Sequence, residues 1–201
     1  MARRKDHSPT ELRQRIHDAA KLLIHHKGLK GLTARALAQR IGYTVGTLYN
    51  FYRDMDALIT EVNFTTLQEL YHYAKEKLNQ AKPGYPSILA LADAYIEFAM
   101  SHERSWRTLF IETNRSGRKT ALPKNYQQCL SDLFTLIEET LQKNSKISSQ
   151  EAAQAARLLW ASLHGMTSLM LDGRLSLIGV TDPHAMIDDL LRRYLGISVK
   201  S

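Results

Sequence analysis

The chain has 201 residues, with 27 Lys and Arg against 20 Asp and Glu, and a net charge of +7. The absence of any run of about 18 apolar residues argues against a transmembrane helix, and a single cysteine excludes an internal disulfide framework. The charged start carries no apolar segment of the secretory type, so we expect a reduced, cytoplasmic setting.

The positive charge is concentrated at the start of the chain. Positions 1–60 hold 11 basic and 5 acidic residues, a net of +6, whereas positions 61–201 carry +1. Such an uneven distribution is the electrostatic signature of a phosphate-binding surface. We expect the first five residues, Met-Ala-Arg-Arg-Lys, to form a basic arm that either is disordered or lies against DNA.

Apolar spacing and capping residues predict an all-α fold without a sheet. Ser8-Pro9-Thr10-Glu11 opens the first helix with a capping box, and this helix ends at about Lys27. Later helices are predicted at 34–41, 45–52, 55–79, 87–102, 106–112, 125–143, 149–171 and 183–195, with a polar loop over 113–122. The total is about nine helices, arranged as a three-helix N-terminal domain followed by a larger helical bundle.

Residues 33–52 have the layout of a helix-turn-helix. Thr33 caps the helix 34–41, Gly42 ends it, and Thr44 caps the next helix. In this motif the second helix enters the major groove of DNA; a helical hairpin with exposed tyrosines is the alternative. We expect phosphate contacts from Thr33, Thr44, Tyr49 and Tyr52, and base contacts from Arg35, Val45 and Thr47.

This segment resembles the N-terminal DNA-binding domain of the TetR family. The matching elements are the Gly28 to Thr33 lead-in, the helix end Ala38 to Gly42, Gly-Thr-Leu-Tyr at 46–49, Phe51-Tyr52 and Ala57-Leu58. The resemblance implies a homodimeric repressor, with a DNA-binding domain at 1–54 and a ligand-binding and dimerisation domain at 55–201. A small-molecule effector in the second domain would release a palindromic operator.

The sequence departs from the family pattern at the start of the fourth helix. The family usually has a lysine there that contacts a phosphate, whereas this chain has Met55. Either that contact is missing or Arg53 replaces it.

A second resemblance lies in positions 158–174. Trp160, His164 and Gly165 are similar to the Trp-x-x-x-His-Gly signature of one C-terminal subgroup of TetR-like regulators. The helix 149–171 is apolar on more than one face, so we expect it to bury one face in the chain and another against a second subunit. A fully intramolecular core is the alternative to this four-helix dimer seam. The predicted interface residues are Leu159, Leu163, Met170, Met186, Leu190 and Tyr194.

Large, amphipathic or soft side chains on three predicted helices indicate a pocket for an apolar or aromatic effector, with ordinary core as the alternative. They are Tyr95, Phe98, His102, Trp106, Phe110, Trp160, His164 and Met166. We interpret His164 as a hydrogen-bonded histidine whose neighbour Gly165 lets another helix approach closely. The histidines lack metal-ligand spacing and no nucleophile or phosphate-loop motif occurs, so we expect no metal, cofactor or catalysis.

Two other functions fit the composition. A helical adaptor could use the basic N-terminal region to bind an acidic protein partner. A helical enzyme with an appended DNA-binding head would need a catalytic constellation, which the sequence does not display.

Overall fold

The computed structural model of the chain describes residues 7–110 and 121–197, all in helices and their connections, with no strand among them. The predicted all-α fold class is confirmed. The helices are α1 (Pro9–Gly31), α2 (Ala34–Ile41), α3 (Val45–Tyr49), α4 (Met55–Gln80), α5 (Tyr85–Ser101), α6 (Glu103–Leu109), α7 (Lys124–Asn144), α8 (Ser149–Leu171) and α9 (Pro183–Leu195), and a 3-10 helix (Leu175–Ile178) precedes α9.

Most helix ends follow the predicted capping residues. Ser8 and Ser148 both form the predicted capping boxes, with Glu11 and Glu151 respectively. In α1 the regular conformation breaks at Gly28, which has a φ of 65° that other residues rarely adopt. This break follows directly on the predicted helix end at Lys27.

The structure departs from the prediction most clearly in three places. α3 ends at Tyr49 instead of residue 52, α6 spans Glu103–Leu109 instead of 106–112, and the 3-10 helix was not predicted. The polar loop predicted over 113–122 and the basic arm lie almost entirely outside the described residues.

The described residues pack as two compact units. The first contains residues 7–67, 102–110 and 121–123, and the second contains 68–101 and 124–197. The functional division predicted between residues 54 and 55 stays a prediction, because packing divides the chain elsewhere and assigns α6 to the first unit.

The core of the first unit joins α1 to the helix-turn-helix and the start of α4. Fully buried side chains from each of these elements include Ile16, Leu37, Leu48 and Ile59. The α6 helix is tied to the same unit by side-chain bonds to helix ends.

Two polar side chains make those bonds. The Arg104 guanidinium donates to the carbonyl of His26, at the end of the regular part of α1, and the Asn63 amide donates to the Thr108 carbonyl at 3.0 Å. Carbonyls at a helix end lack partners within the helix, so these bonds satisfy groups that would otherwise need water.

The core of the second unit is built from α5, α7, α8 and α9. Ile96, Leu141, Ala156 and Ile187 are among its buried members. The Tyr85 hydroxyl donates to an Asp188 carboxylate oxygen at 2.7 Å, which fixes the start of α5 to α9. No helix in the described part of the chain has the length and hydropathy needed to cross a membrane.

Candidate functional site

The turn between α2 and α3 is shaped by hydroxyl caps and one glycine. The Thr33 hydroxyl accepts the Ala36 N–H at 3.1 Å, which closes the first turn of α2. Gly42 ends α2 with a φ of 78°, and its N–H donates to the Ala38 carbonyl at 3.1 Å. The chain therefore reverses direction in a short, fully hydrogen-bonded segment.

The short helix α3 begins on a second threonine cap. The Thr44 hydroxyl accepts the Thr47 N–H at 3.3 Å, and the two threonine hydroxyl oxygens lie 3.0 Å apart. Only one of the two hydroxyl protons is used between them, so the other remains available to a ligand. Leu48 is buried in the unit core, which fixes the rotation of α3 about its axis.

The outward face of this motif carries most of the predicted DNA-binding side chains. Thr33, Arg35, Thr44, Tyr49 and Arg53 are exposed, and Val45 and Thr47 are half-buried. Tyr49 leaves about half of its surface, 49%, in solvent. The motif thus presents hydroxyls, a guanidinium and small apolar groups on one connected segment.

Tyr52 is not on this face, so its assignment as a phosphate ligand is wrong. Only 5% of its surface is exposed, and its hydroxyl donates to the Glu61 carboxylate at 3.1 Å. The Arg13 guanidinium, which also binds Glu61, lies 4.8 Å from the centre of the Tyr52 ring. Burial, followed by the Glu61 charge, raises the pKa of the Tyr52 hydroxyl, which stays protonated as a structural donor.

At the start of α4, Met55 occupies the position where the family usually has a lysine, and the nearby Arg53 is paired with an acidic residue. Met55 packs against the core of the first unit. Arg53 is 2.8 Å from the carboxylate of Asp54, which also accepts the Ala57 N–H. That N–H bond and the arginine lower the pKa of the Asp54 carboxyl. Arg53 thus has a carboxylate beside it, unlike an isolated lysine at position 55.

Gly46 on α3 is not required by the packing of this chain. A Cβ atom built there would meet only the Thr44 hydroxyl oxygen, at an ordinary contact distance of 3.7 Å. Alanine would favour the helix by about 1 kcal/mol. Packing within the described part of the chain therefore leaves room for a side chain at position 46.

In the second unit, an aromatic cluster brings together three of the predicted effector-binding residues. The Tyr95 hydroxyl is 2.8 Å from Nδ1 of His164, and the His164 ring stacks on Trp160 with centroids 5.4 Å apart. Phe134 on α7 meets Trp160 edge-on at 5.7 Å. Sequence reasoning missed Phe134, although it lies among the apolar positions of the helix predicted at 125–143.

The other predicted effector residues do not join this cluster. Phe98 is buried near Tyr73, and Met166 packs against the core of the second unit. Trp106 and Phe110 contact each other at 5.1 Å and, with His102, belong to the first unit around α6. The eight residues therefore do not form one site within a single unit.

The outward apolar face of α8 differs from the predicted dimer stripe. Leu159 is only 6% exposed and lies in the unit core, so its assignment to an interface is wrong. Leu163 and Met170, with Leu190 on α9, are half-buried against that core. On α9, Met186 and Tyr194 are exposed as the interface prediction requires.

The exposed face of α8 contains residues that the prediction omitted. Leu158 is 51% exposed and Leu169 is 39% exposed, with Ala161 and Gly165 between them at helical spacing. In the part of the chain that the structure describes, and apart from the neighbouring backbone of α8, no atom lies within 4 Å of a Cβ built on Gly165. No helix of the described chain therefore approaches Gly165 closely, and the expected approach of another helix stays a prediction.

Two family patterns match the chain. The pattern described as "Bacterial regulatory proteins, tetR family" matches residues 16–62. The pattern described as "Tetracyclin repressor-like, C-terminal domain" matches residues 88–194, which is more than half of the chain.

Individual proteins agree with these patterns. The HTH-type transcriptional regulator YobS of Bacillus subtilis (strain 168), itself uncharacterized, is 25% identical over 155 residues, covering 77% of this chain and 76% of that protein. A protein of unknown function from Rhodococcus sp. RHA1 has the same fold, with a TM-score of 0.75, 18% identity and 96% and 99% coverage. The multidrug binding protein EbrR, solved with imidazole, gives a TM-score of 0.61 at 18% identity, with 94% and 96% coverage.

The burial of His164 leads to an expected pH dependence of stability. Burial lowers the pKa of His164, so the unfolded chain binds more protons than the folded chain just below neutral pH. His164 therefore destabilises the fold as the pH falls through the unfolded pKa of about 6.5, until the folded pKa is reached. We expect His164→Gln to flatten the pH dependence of the urea midpoint between pH 7 and 5. A His164→Gln variant whose urea midpoint keeps the wild-type pH dependence would contradict this account.

Proposed function

Because the chain belongs to the TetR family of bacterial regulatory proteins, we propose that it is a sequence-specific repressor released from a palindromic operator by a small-molecule effector. Membership makes the chain a transcriptional regulator, not an enzyme, with a DNA-binding helix-turn-helix and a C-terminal ligand-binding domain. The observation that carries the finer proposal is the capped, outward-facing motif of α2 and α3 on the basic part of the chain. We assign the regulator to the cytoplasm, where it meets DNA.

The proposed DNA contacts divide into positioning and reading groups. The hydroxyls of Thr33, Thr44 and Tyr49 bind phosphates, with Arg53 as a weaker contact because Asp54 lies beside it. Arg35, Val45 and Thr47 read base edges, with Arg35 bidentate to a guanine. Tyr52 is not among the proposed DNA contacts, because its hydroxyl donates to the Glu61 carboxylate.

We propose that a second copy of the chain covers the exposed face of α8 and α9. Leu158, Gly165 and Leu169 supply one helix of this seam, and Met186 and Tyr194 supply the other. Two such helices from each subunit form a four-helix interface. Binding to a palindromic site would require the two α3 helices of the dimer to lie about 34–36 Å apart, the spacing of successive major grooves.

The aromatic cluster of the second unit is the proposed effector site. Tyr95, Phe134, Trp160 and His164 offer stacking surfaces, and the Arg157 guanidinium, which lies 5.3 Å from the centre of the Phe134 ring, is paired with Glu138 at 2.8 Å. These groups favour an uncharged aromatic effector. Imidazole, with which EbrR forms a complex, has this ring chemistry.

This proposal gives a physical reason for the resemblance to the Trp-x-x-x-His-Gly subgroup. Trp160 and His164 are four residues apart and stack on one side of α8, while Gly165 has open space beside it. The signature therefore combines an aromatic effector surface with a position that admits a partner helix. We accordingly assign the chain to the Trp-x-x-x-His-Gly subgroup. The effector acts through α4 by binding the two states of the dimer with different affinities.

Selection of duplexes from a random pool tests the proposed function. We expect the full chain to recover a palindromic site, and Arg35→Ala to lose about 1–3 kcal/mol of discrimination at one base pair in each half-site. Lys82→Ala, on an exposed residue of the second unit, is the control and should select the wild-type site. Uniform weakening by Arg35→Ala would remove its reading role. Sequence-blind binding that an acidic protein competes away would favour the adaptor alternative.

Gly46→Ala is expected to change stability and DNA affinity in opposite directions. Alanine should raise the free energy of unfolding by about 1 kcal/mol, because none of the described residues obstructs its methyl group. The same methyl group should weaken operator binding if the DNA backbone approaches α3 at this position. Chemical denaturation and operator titration on the same preparation measure the two effects. Unchanged affinity would show that no DNA group comes close to Gly46.

The proposed dimer predicts the effect of charge on the outward face of α8. Leu158→Glu combined with Leu169→Glu should convert the dimer to a monomer at micromolar concentration, because four carboxylates would be buried in the seam. Leu22→Glu changes an exposed leucine of α1 and should leave the dimer intact. Sedimentation equilibrium distinguishes these outcomes, and a persistent dimer in the double variant would place the interface elsewhere.

A further inference from the structure

The C-terminal end of α3 is bonded to the segment that follows it. The backbone N–H groups of Phe51 and Tyr52 both donate to the Leu48 carbonyl, each at 3.0 Å. The Tyr52 side chain is then buried, with only 5% of its surface exposed. Because a helix of five residues has few bonds of its own, the position of its C-terminal end follows the position of Tyr52.

Glu61 on α4 joins Tyr52 to α1. One carboxylate oxygen of Glu61 accepts the Tyr52 hydroxyl at 3.1 Å, and the other accepts the Arg13 guanidinium at 2.5 Å. The same guanidinium lies 4.8 Å from the centre of the Tyr52 ring. Each oxygen therefore binds a different element, and a glutamine, which has one side-chain oxygen, could not accept both bonds in this way.

A second contact, one turn further along both helices, fixes α4 against α1. The Thr65 hydroxyl lies 3.0 Å from Nε2 of His17, which is buried. Thr65 follows Glu61 by four residues. His17 likewise follows Arg13 by four, so the two contacts occupy neighbouring positions on one face of each helix. Rotation of either helix about its axis would strain both contacts together.

We propose that Glu61 is a positioning residue for DNA binding, which acts through Tyr52 to fix the direction in which α3 presents its outward side chains. This inference rests on the proposed DNA-binding function and extends it. The Arg13–Glu61 pair stabilises the fold only slightly, because 50% of the Arg13 side chain and 34% of the Glu61 side chain remain exposed. The contribution of Glu61 is mainly geometric, since a tilt of α3 would move Val45 and Thr47 away from the base edges that they are proposed to read.

The proposal predicts opposite effects of Glu61→Gln on two kinds of duplex. Loss of a carboxylate raises the positive charge of the first unit, so it should strengthen binding to a duplex of unrelated sequence. Misplacement of α3 should weaken binding to the selected palindromic site. We expect the ratio of the two affinities, measured in the full chain at one salt concentration, to fall by about tenfold, the equivalent of one hydrogen bond to a charged group.

Glu103→Gln is the matched control. Glu103 belongs to the first unit, is exposed, and pairs with Arg107 at 2.9 Å, but both residues lie on α6, away from the contacts of Tyr52. The substitution removes the same charge, so it should strengthen binding to both duplexes and leave the ratio unchanged. A general loss of stability would lower both affinities by one factor, and thermal unfolding of each variant measures that loss separately.

Tyr52→Phe tests whether Glu61 acts through the Tyr52 hydroxyl. This substitution keeps the ring beside Arg13 and removes only the hydroxyl, so it should lower the affinity ratio in the wild-type chain. Its effect should be smaller in the Glu61→Gln background, because groups in contact are coupled in a double-mutant cycle. Equal effects of Tyr52→Phe in both backgrounds would overturn the proposal that Glu61 acts through Tyr52.

The remaining outcomes separate this inference from the proposed function. If Glu61→Gln and Glu103→Gln change the two affinities alike while the wild type still selects a palindromic site, the positioning role is overturned and the proposed function stands. If the wild-type chain binds every duplex equally, both are overturned, because there is then no sequence-dependent contact for Glu61 to position.

Discussion

A helix of five residues cannot maintain its own conformation in water, so the DNA-facing surface depends on how α3 is held. The Thr44 hydroxyl closes its first turn, and Leu48 is buried in a core shared with α1, α2 and α4. The outward-facing positions of Val45, Thr47 and Tyr49 follow from that attachment. Tyr52 also stabilises this part of the unit, because its hydroxyl donates to Glu61 and its ring lies against the Arg13 guanidinium.

The second unit concentrates two proposed functions on one helix. The aromatic pair Trp160 and His164 lies on one side of α8, and the exposed Leu158 and Leu169 lie on another. In the proposed dimer this one helix contacts both an effector and a partner subunit, and the two binding events are coupled when each favours a different arrangement of the helix. The coupling is reciprocal: an effector that changes dimer geometry binds with an affinity that depends on whether the dimer holds DNA.

The sequence predicted the features that depend on residues close together in the chain, such as the starts of helices. Ser8, Thr33, Thr44 and Ser148 mark helix starts through bonds that reach only three residues, and all four caps are present. Contacts between residues that are far apart in the sequence were harder to predict. Periodicity indicated that α8 has two apolar faces, but Leu158 and Leu159 can exchange roles without changing the pattern. Similarly, Tyr52 follows Tyr49 at helical spacing, yet α3 ends between them, so the two hydroxyls separate. The attachment of α6 to α1 through Arg104 joins residues 78 positions apart and leaves no local signal.

The central claim is that the basic first part of the chain binds the phosphate backbone of duplex DNA. The salt dependence of the affinity for a duplex tests this most directly, because each neutralised phosphate releases counterions. We expect the logarithm of the association constant to fall linearly with the logarithm of salt concentration, with a slope of about −0.9 for every phosphate contacted. A slope near zero for the intact protein would contradict the account, since no arrangement of Arg35, Arg53 and the basic arm on DNA could produce it.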